Sequence, residues 1–128
     1  MISPEQLELV WPAVEKMIDQ AYKFADEIVP PDLLEQLRQH YRQLWIVGDG
    51  EKILAAVMTK IILLRSGRCC LITACGGTQG DRWLHLIKEI EAFARFERCG
   101  KVQIEGRTGW ERKFPRFKRV RIVLEQEL

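Results

Sequence analysis

The chain has 128 residues, 47% hydrophobic and 30% charged, with a formal net charge of +2 at neutral pH. That length predicts one domain over residues 1–128 with a hydrophobic core of its own, and the composition excludes a disordered or collagen-like chain. No apolar run reaches the roughly 20 residues that span a bilayer, and the opening Ile2-Ser3-Pro4-Glu5-Gln6 lacks the basic start and apolar stretch of a signal peptide. A cytoplasmic protein without membrane association is expected.

Ser3, Pro4 and Gln6 carry the chemistry of a helix start: a capping hydroxyl, a proline suited to the first turn, and an amide three residues after the cap. Leu7, Val10, Trp11, Val14, Ile18, Ala21, Tyr22 and Ala25 follow at helical spacing, with a kink or restart predicted at Pro12. Pro30-Pro31-Asp32 ends that unit and begins a second helix, whose apolar face is Leu33, Leu34, Leu37, Tyr41 and Leu44.

The period then changes. Leu44-Trp45-Ile46-Val47 reads as a strand, Gly48-Asp49-Gly50-Glu51 as a turn, and residues 53–64 as a second strand rich in β-branched and apolar side chains. After a turn at Ser66-Gly67-Arg68, the nearly continuous apolar run 69–75 suits a central strand covered on both faces. Residues 76–80 form the most glycine-rich window, and Asp81 is a suitable cap for a helix that buries Trp83, Leu86, Ile87, Ile90, Phe93 and Ala94. Cys99-Gly100 ends that helix. Val102 and Ile104 alternate with Gln103 and Glu105 in a further strand, a short turn or helix surrounds Trp110-Glu111-Arg112, and Val120, Ile122 and Leu124 alternate in a last strand.

Cys69, Cys70, Cys75 and Cys99 form no CxxC pair, and neither His40 nor His85 stands at a usual zinc spacing, so the cysteines read as free thiols in the core and no metal site is expected. Charge is unevenly spread: residues 1–43 carry eight acids and four bases, and residues 100–128 four acids and eight bases. Within the basic end, Arg112, Lys113, Arg116, Lys118, Arg119 and Arg121 are interleaved with Phe114 and Phe117. Such a stretch suits phosphate backbones and stacked bases, or equally a charged protein interface facing the acidic opening helices or a partner subunit.

The order helix, helix, three strands, helix, strand, short helix, strand resembles the plan of the GCN5-related N-acetyltransferases (GNAT) over nearly the whole chain, without the initial strand common in that family. The predicted fold is therefore α/β (α+β), a mixed and mostly antiparallel sheet flanked by helices. The segments Leu44-Trp45-Ile46-Val47-Gly48-Asp49-Gly50, Trp83-Leu84-His85-Leu86-Ile87 through Ala92-Phe93-Ala94-Arg95, and Ile104-Glu105-Gly106-Arg107-Thr108-Gly109-Trp110-Glu111-Arg112, with the ending 117–125, are similar to uncharacterised GNAT-like proteins of tailed bacteriophages.

The resemblance implies a turn-to-helix anion site for the pyrophosphate of acetyl-CoA at Gly76, Gly77, Gly80 and Arg82. The family pattern there is Arg or Gln, two residues, Gly, one residue, then Gly or Ala. Gln79-Gly80-Asp81-Arg82-Trp83 departs from it, and a carboxylate at the helix start opposes phosphate, with Arg82 and Arg107 as offsets. The tyrosine that often protonates the leaving thiolate also has no counterpart near Trp110, and Glu105 is the candidate general base. These departures favour a phage-encoded, non-catalytic role in protein interaction or virion assembly, placed in the host cytoplasm or the virion, with no cofactor expected. Two alternatives stand beside it: acyl-CoA-dependent N-acyl transfer with an atypical loop, and nucleic-acid binding through residues 112–121.

Overall fold

The first helix, α1 (Pro4–Phe24), starts at a reciprocal cap: the Gln6 amide N–H donates to Ser3 Oγ at 3.4 Å, while the Ser3 N–H donates to Gln6 Oε1 at 3.1 Å. In this computed structural model, which describes residues 1–24, 27–48, 52–77, 83–106 and 109–128, α1 runs on through Pro12 as one helix instead of restarting there. The proline removes a single ladder bond, and the buried stripe Leu7, Val14, Ile18, Ala21 and Tyr22 continues on both sides of it.

Helix α2 (Leu33–Arg38) is shorter than its apolar spacing suggested. His40 takes a left-handed backbone (φ 64°), which ends the helix, leaves Tyr41 exposed in the turn and passes Leu44 to the next strand.

Four strands follow in spatial order β1 (Gln43–Gly48), β2 (Ile53–Leu64), β3 (Gly67–Gly77) and β4 (Lys101–Ile104). The first three pair antiparallel; β4 joins β3 in parallel, reached through α3 (Trp83–Phe96), and α4 (Gly109–Lys113) follows. A mixed, mostly antiparallel sheet flanked by helices is therefore the observed architecture. One face, with Leu44, Ala56, Met58 and Ala74, packs on α1 and α2; the other, with Trp45, Val57, Cys70 and Ile72, packs on α3 and Phe114. Between the layers, Thr59 is fully buried, accepting from Trp45 Nε1 at 3.0 Å and donating to Gln43 Oε1 at 2.8 Å, so three buried polar groups satisfy one another.

The last predicted strand is not formed. Residues 118–128 carry no regular structure, and Val120, Ile122, Val123 and Leu124 are 63–91% exposed. Alternation along a chain selects which face would be buried, but it supplies no neighbour to bury it against, and β4 does not reach the tail.

Candidate functional site

The site arises from a mismatch in strand length. β3 extends to Gly77, whereas β4 pairs with it only from Cys69↔Lys101 to Ile72↔Ile104; the last link is the Glu105 N–H donating to Ile72 O at 3.2 Å. Beyond it the two strands part and open a wedge in the sheet. Backbone groups on this rim of β3 have no ladder partner from β4. The wedge begins at a bulge. Thr59 pairs with Ile72 and Met58 with Ala74, which leaves Thr73 as the extra residue, its hydroxyl donating to Met58 O at 3.4 Å.

Both sides of the wedge are held by close packing. On the α1 side, a Cβ on Gly76 would lie 2.2 Å from Met17 O, so the helix backbone sits directly against the strand and only glycine fits. On the other side, Gly106 lies under the Trp110 indole, where a Cβ would come within 2.6 Å of the ring. Trp110 meets Trp83 edge-on (5.9 Å) and stacks on Phe114 (5.6 Å, 7° between planes), and Phe114 touches Phe117 at 6.0 Å. This aromatic ladder fixes α4 and the start of the tail against α3.

An open cleft of about 1530 Å³ continues from the wedge along the outer edge of β4 to the tail. Thr73, Ala74 and Cys75 line it on one side, Glu105, Gly106 and Trp110 at the mouth, and Arg116 to Val123 along the far wall.

Glu105 is exposed at the mouth of the wedge, beside the strand whose rim is free. Cys75 faces the α3 side, and burial pushes its thiol up to about 12, against a lesser pull from Lys113. It is neutral at physiological pH and is no ready nucleophile. Cys70 is likewise pushed up to about 12 by burial; Cys69 is buried, Cys99 half-buried, and all four cysteines are free. His85 is largely exposed and lies 3.6 Å from Glu89.

Tyr22 belongs to the core between α1, α2 and the sheet, as its helical spacing suggests, and is not among the residues that line the cleft. Its ring is buried under the sheet, but its hydroxyl accepts from Arg42 Nη1 at 3.3 Å and lies against the Thr73 side chain at the bulge. Burial raises its pKa, with Arg42 acting in the opposite direction.

Among the glycine-rich candidates, Gly76 and Gly77 are in the end of β3, where Gly77 has φ +115° and a Cβ would meet Leu54 O at 2.3 Å; close packing accounts for both. Gly80 and Arg82, with Gln79, Asp81 and Arg107, fall outside the described residues. Among the described residues the basic segment does not pair with the acidic opening helices. Arg116 binds Glu91 of α3 through both carboxylate oxygens (2.8 and 3.0 Å), Arg119 binds Glu111 of α4 at 2.6 Å, and Lys113 lies 5.8 Å from the Trp110 ring centre. Arg112, Lys118 and Arg121 are exposed. The set is thus divided between intramolecular pairs and open surface.

No family model and no curated protein matches the sequence. Solved structures do. An aminoglycoside acetyltransferase from an uncultured soil metagenomic sample, solved with trehalose and with sisomicin, superposes at TM-score 0.70 with 10% identity, over 99% of this chain and 93% of that one. A protein of Clostridium acetobutylicum described as a predicted acetyltransferase, solved with acetyl-CoA, superposes at TM-score 0.67 with 14% identity, over 98% and 92% of the two chains. The fold is GNAT-like. Of the candidate residues, Glu105 lies at the parting of β3 and β4, while Gly76 and Gly77 lie further along β3. No helix among the described residues is long and apolar enough to cross a membrane.

Proposed function

We propose that the chain is an acyl-CoA-dependent N-acyltransferase that binds the acyl thioester in the wedge between β3 and β4. The observation that carries this reading is the rim of β3 beyond the Glu105–Ile72 link, which β4 does not pair and which offers fixed backbone donors and acceptors at an opening bordered by apolar and aromatic side chains. A thioester carbonyl laid against such a rim gains hydrogen bonds that strengthen as its oxygen becomes an oxyanion under attack by an amine. The fit is reinforced by the neighbour from Clostridium acetobutylicum, which shares the fold and was solved with acetyl-CoA.

Each residue has a proposed task. Glu105, exposed at the mouth, accepts the proton that the attacking amine loses. Gly76 and Gly77 shape the rim. Gly80 and Arg82 stand by sequence position next to the pyrophosphate, where Asp81 weakens binding without abolishing it, since one carboxylate at a helix start is worth about 1 kcal/mol. No tyrosine belongs to α4, and the leaving thiolate takes its proton from solvent at the open mouth of the wedge.

The interaction or virion-assembly role expected from the sequence rested on the altered loop and the phage likeness. The described structure and the neighbours' descriptions carry no link to bacteriophages, and acyl transfer replaces it as the principal reading. Titration calorimetry with acetyl-CoA tests it: saturable one-to-one binding is expected, and no heat of binding at millimolar ligand would remove the proposal. Glu105→Gln is expected to lower turnover of an amine substrate at least tenfold with acetyl-CoA affinity unchanged.

A further inference from the structure

The hairpin of β2 and β3 runs on past the strand beside it. β1 pairs with β2 only from Gly48↔Ile53 to Gln43↔Thr59, whereas β2 stays paired with β3 as far as Leu64↔Gly67. Residues 60–64 therefore have a strand neighbour on one edge and, among the described residues, none on the other. The chain leading into β1 does not supply one, because it turns aside: the Tyr41 and Arg42 N–H groups both donate to Gln36 O, at 2.9 and 3.3 Å. In an antiparallel ladder alternate residues direct their N–H and C=O outward, so this stretch presents backbone donors and acceptors along an open edge. It pairs with residues 67–71 of β3, at the opposite end of that strand from the wedge, and acyl transfer makes no use of it.

The side chains on this edge are apolar. Ile61, Ile62 and Leu64 are half-buried and Leu63 is 79% exposed, and none of the four belongs to either core cluster. Cations bracket them, with Lys60 before and Arg65 after, and Arg68 stands across the ladder from Leu63. Residues 53–77 hold these three cations and no acid. Of the three, Arg68 alone meets an acid among the described residues, Glu97 at 3.5 Å.

These features select the chemistry of a partner. An open ladder calls for an extended peptide, because a bilayer core leaves outward N–H and C=O groups unsatisfied. Nucleic acid brings no ladder, and its bases stack on aromatic rings, of which residues 53–77 have none. Charge then selects among peptides. Two copies of this edge paired antiparallel about Ile62 would set Lys60 of each beside Leu64 and Arg65 of the other, cations against cations with no acid between them. An acidic strand meets attraction at both ends instead.

We infer that the outer edge of β2 at residues 60–64 docks an extended acidic segment of a partner protein, which adds to the sheet as a strand in line with β1. Five residues at about 3.4 Å each give an edge of roughly 17 Å. The segment has apolar residues at its centre and acids at its two ends, one near Lys60 and one near Arg65 and Arg68. With cations at both ends, either strand direction satisfies this pattern. Main-chain bonds supply affinity, and the apolar and charged contacts supply selectivity. The inference is independent of acyl-CoA binding.

Fluorescence anisotropy of the full chain with a labelled peptide, Val-Thr-Val-Thr-Val between two pairs of glutamates, tests it. Saturable binding below millimolar peptide is expected, weakening with added salt. Replacing the glutamates by lysines, or methylating the central backbone nitrogens, should each weaken binding at least tenfold. The double variant Lys60→Glu/Arg65→Glu should reverse the preference, holding the lysine peptide more tightly than the glutamate one. Hydrogen exchange in the wild-type chain decides independently of that variant: the peptide should slow exchange within residues 60–64 and leave β4 unchanged. No saturation at millimolar peptide overturns the inference, as does equal binding of the methylated peptide or an unreversed preference in the folded variant. Protection of residues 60–64 by phosphatidylserine vesicles, by oligothymidine or by self-association of the chain, with none from the peptide, overturns it as well.

Discussion

Gly76→Ala provides a direct test of how the wedge is built. The added methyl would stand 2.2 Å from Met17 O and 2.8 Å from Met17 C, both backbone atoms of α1, whereas side-chain carbons are not found closer than 3.0 Å. Relief requires the helix to retreat by roughly 0.8 Å or more. A gap of that size forfeits a quarter to a half of the dispersion energy along the contact, here involving Val14, Ile18 and Ala21 against Ala74 and Ala56. Overpacking of this kind costs about 1–3 kcal/mol; with rigid backbone on both sides, we expect about 3 kcal/mol. At roughly 3–5 °C per kcal/mol for a chain this size, Tm should fall by roughly 9–15 °C. Urea unfolding followed by tryptophan fluorescence measures the loss. Gly100→Ala is the control, because nothing lies within 4 Å of its added Cβ and its backbone φ is not positive; it should change stability by less than about 0.5 kcal/mol. If Gly76→Ala is as stable as the control but loses affinity for acetyl-CoA, the helix-contact account of Gly76 is refuted and the glycine acts on the ligand.

Thr59→Val keeps the shape of the fully buried side chain but strands the Trp45 indole N–H and the Gln43 carbonyl, and should cost about 2–4 kcal/mol in the same urea assay. Stability should fall as pH rises above 9, since burial holds Cys70 and Cys75 neutral up to about 12 while the unfolded chain ionises them near 9. In that window the native state binds more protons, so each thiol removes about 1 kcal/mol of stability per pH unit; a flat profile from pH 9 to 10.5 would contradict the burial of both. Asp81→Asn should tighten acetyl-CoA about threefold to tenfold by removing a charge that opposes phosphate, with the gain shrinking in high salt; calorimetry at two ionic strengths reads both.

The elements most legible in the sequence were those whose signal is local. The cap at Ser3 and Gln6, the amphipathic stripe of α3, and the apolar runs of β2 and β3 each specify a conformation through neighbours a few residues away, and each formed as expected. Failures came where the decision belongs to a distant partner. The spacing of Tyr41 and Leu44 continued that of α2, but a left-handed His40 and the pull of β2 on Leu44 ended the helix early. Residues 119–125 alternate as a strand should, yet alternation states a need for a neighbour without naming one. Gly76 looked like part of a phosphate loop because the carbonyl that excludes a side chain there belongs to Met17, 59 residues earlier.

The site follows from the shortness of β4. Had β4 matched the eleven residues of β3, the ladder would have run on past Ile72, the rim beside Thr73 would have been paired, and no wedge would exist. What the truncated pairing leaves is a short rim and a carboxylate, matched to a small polar group.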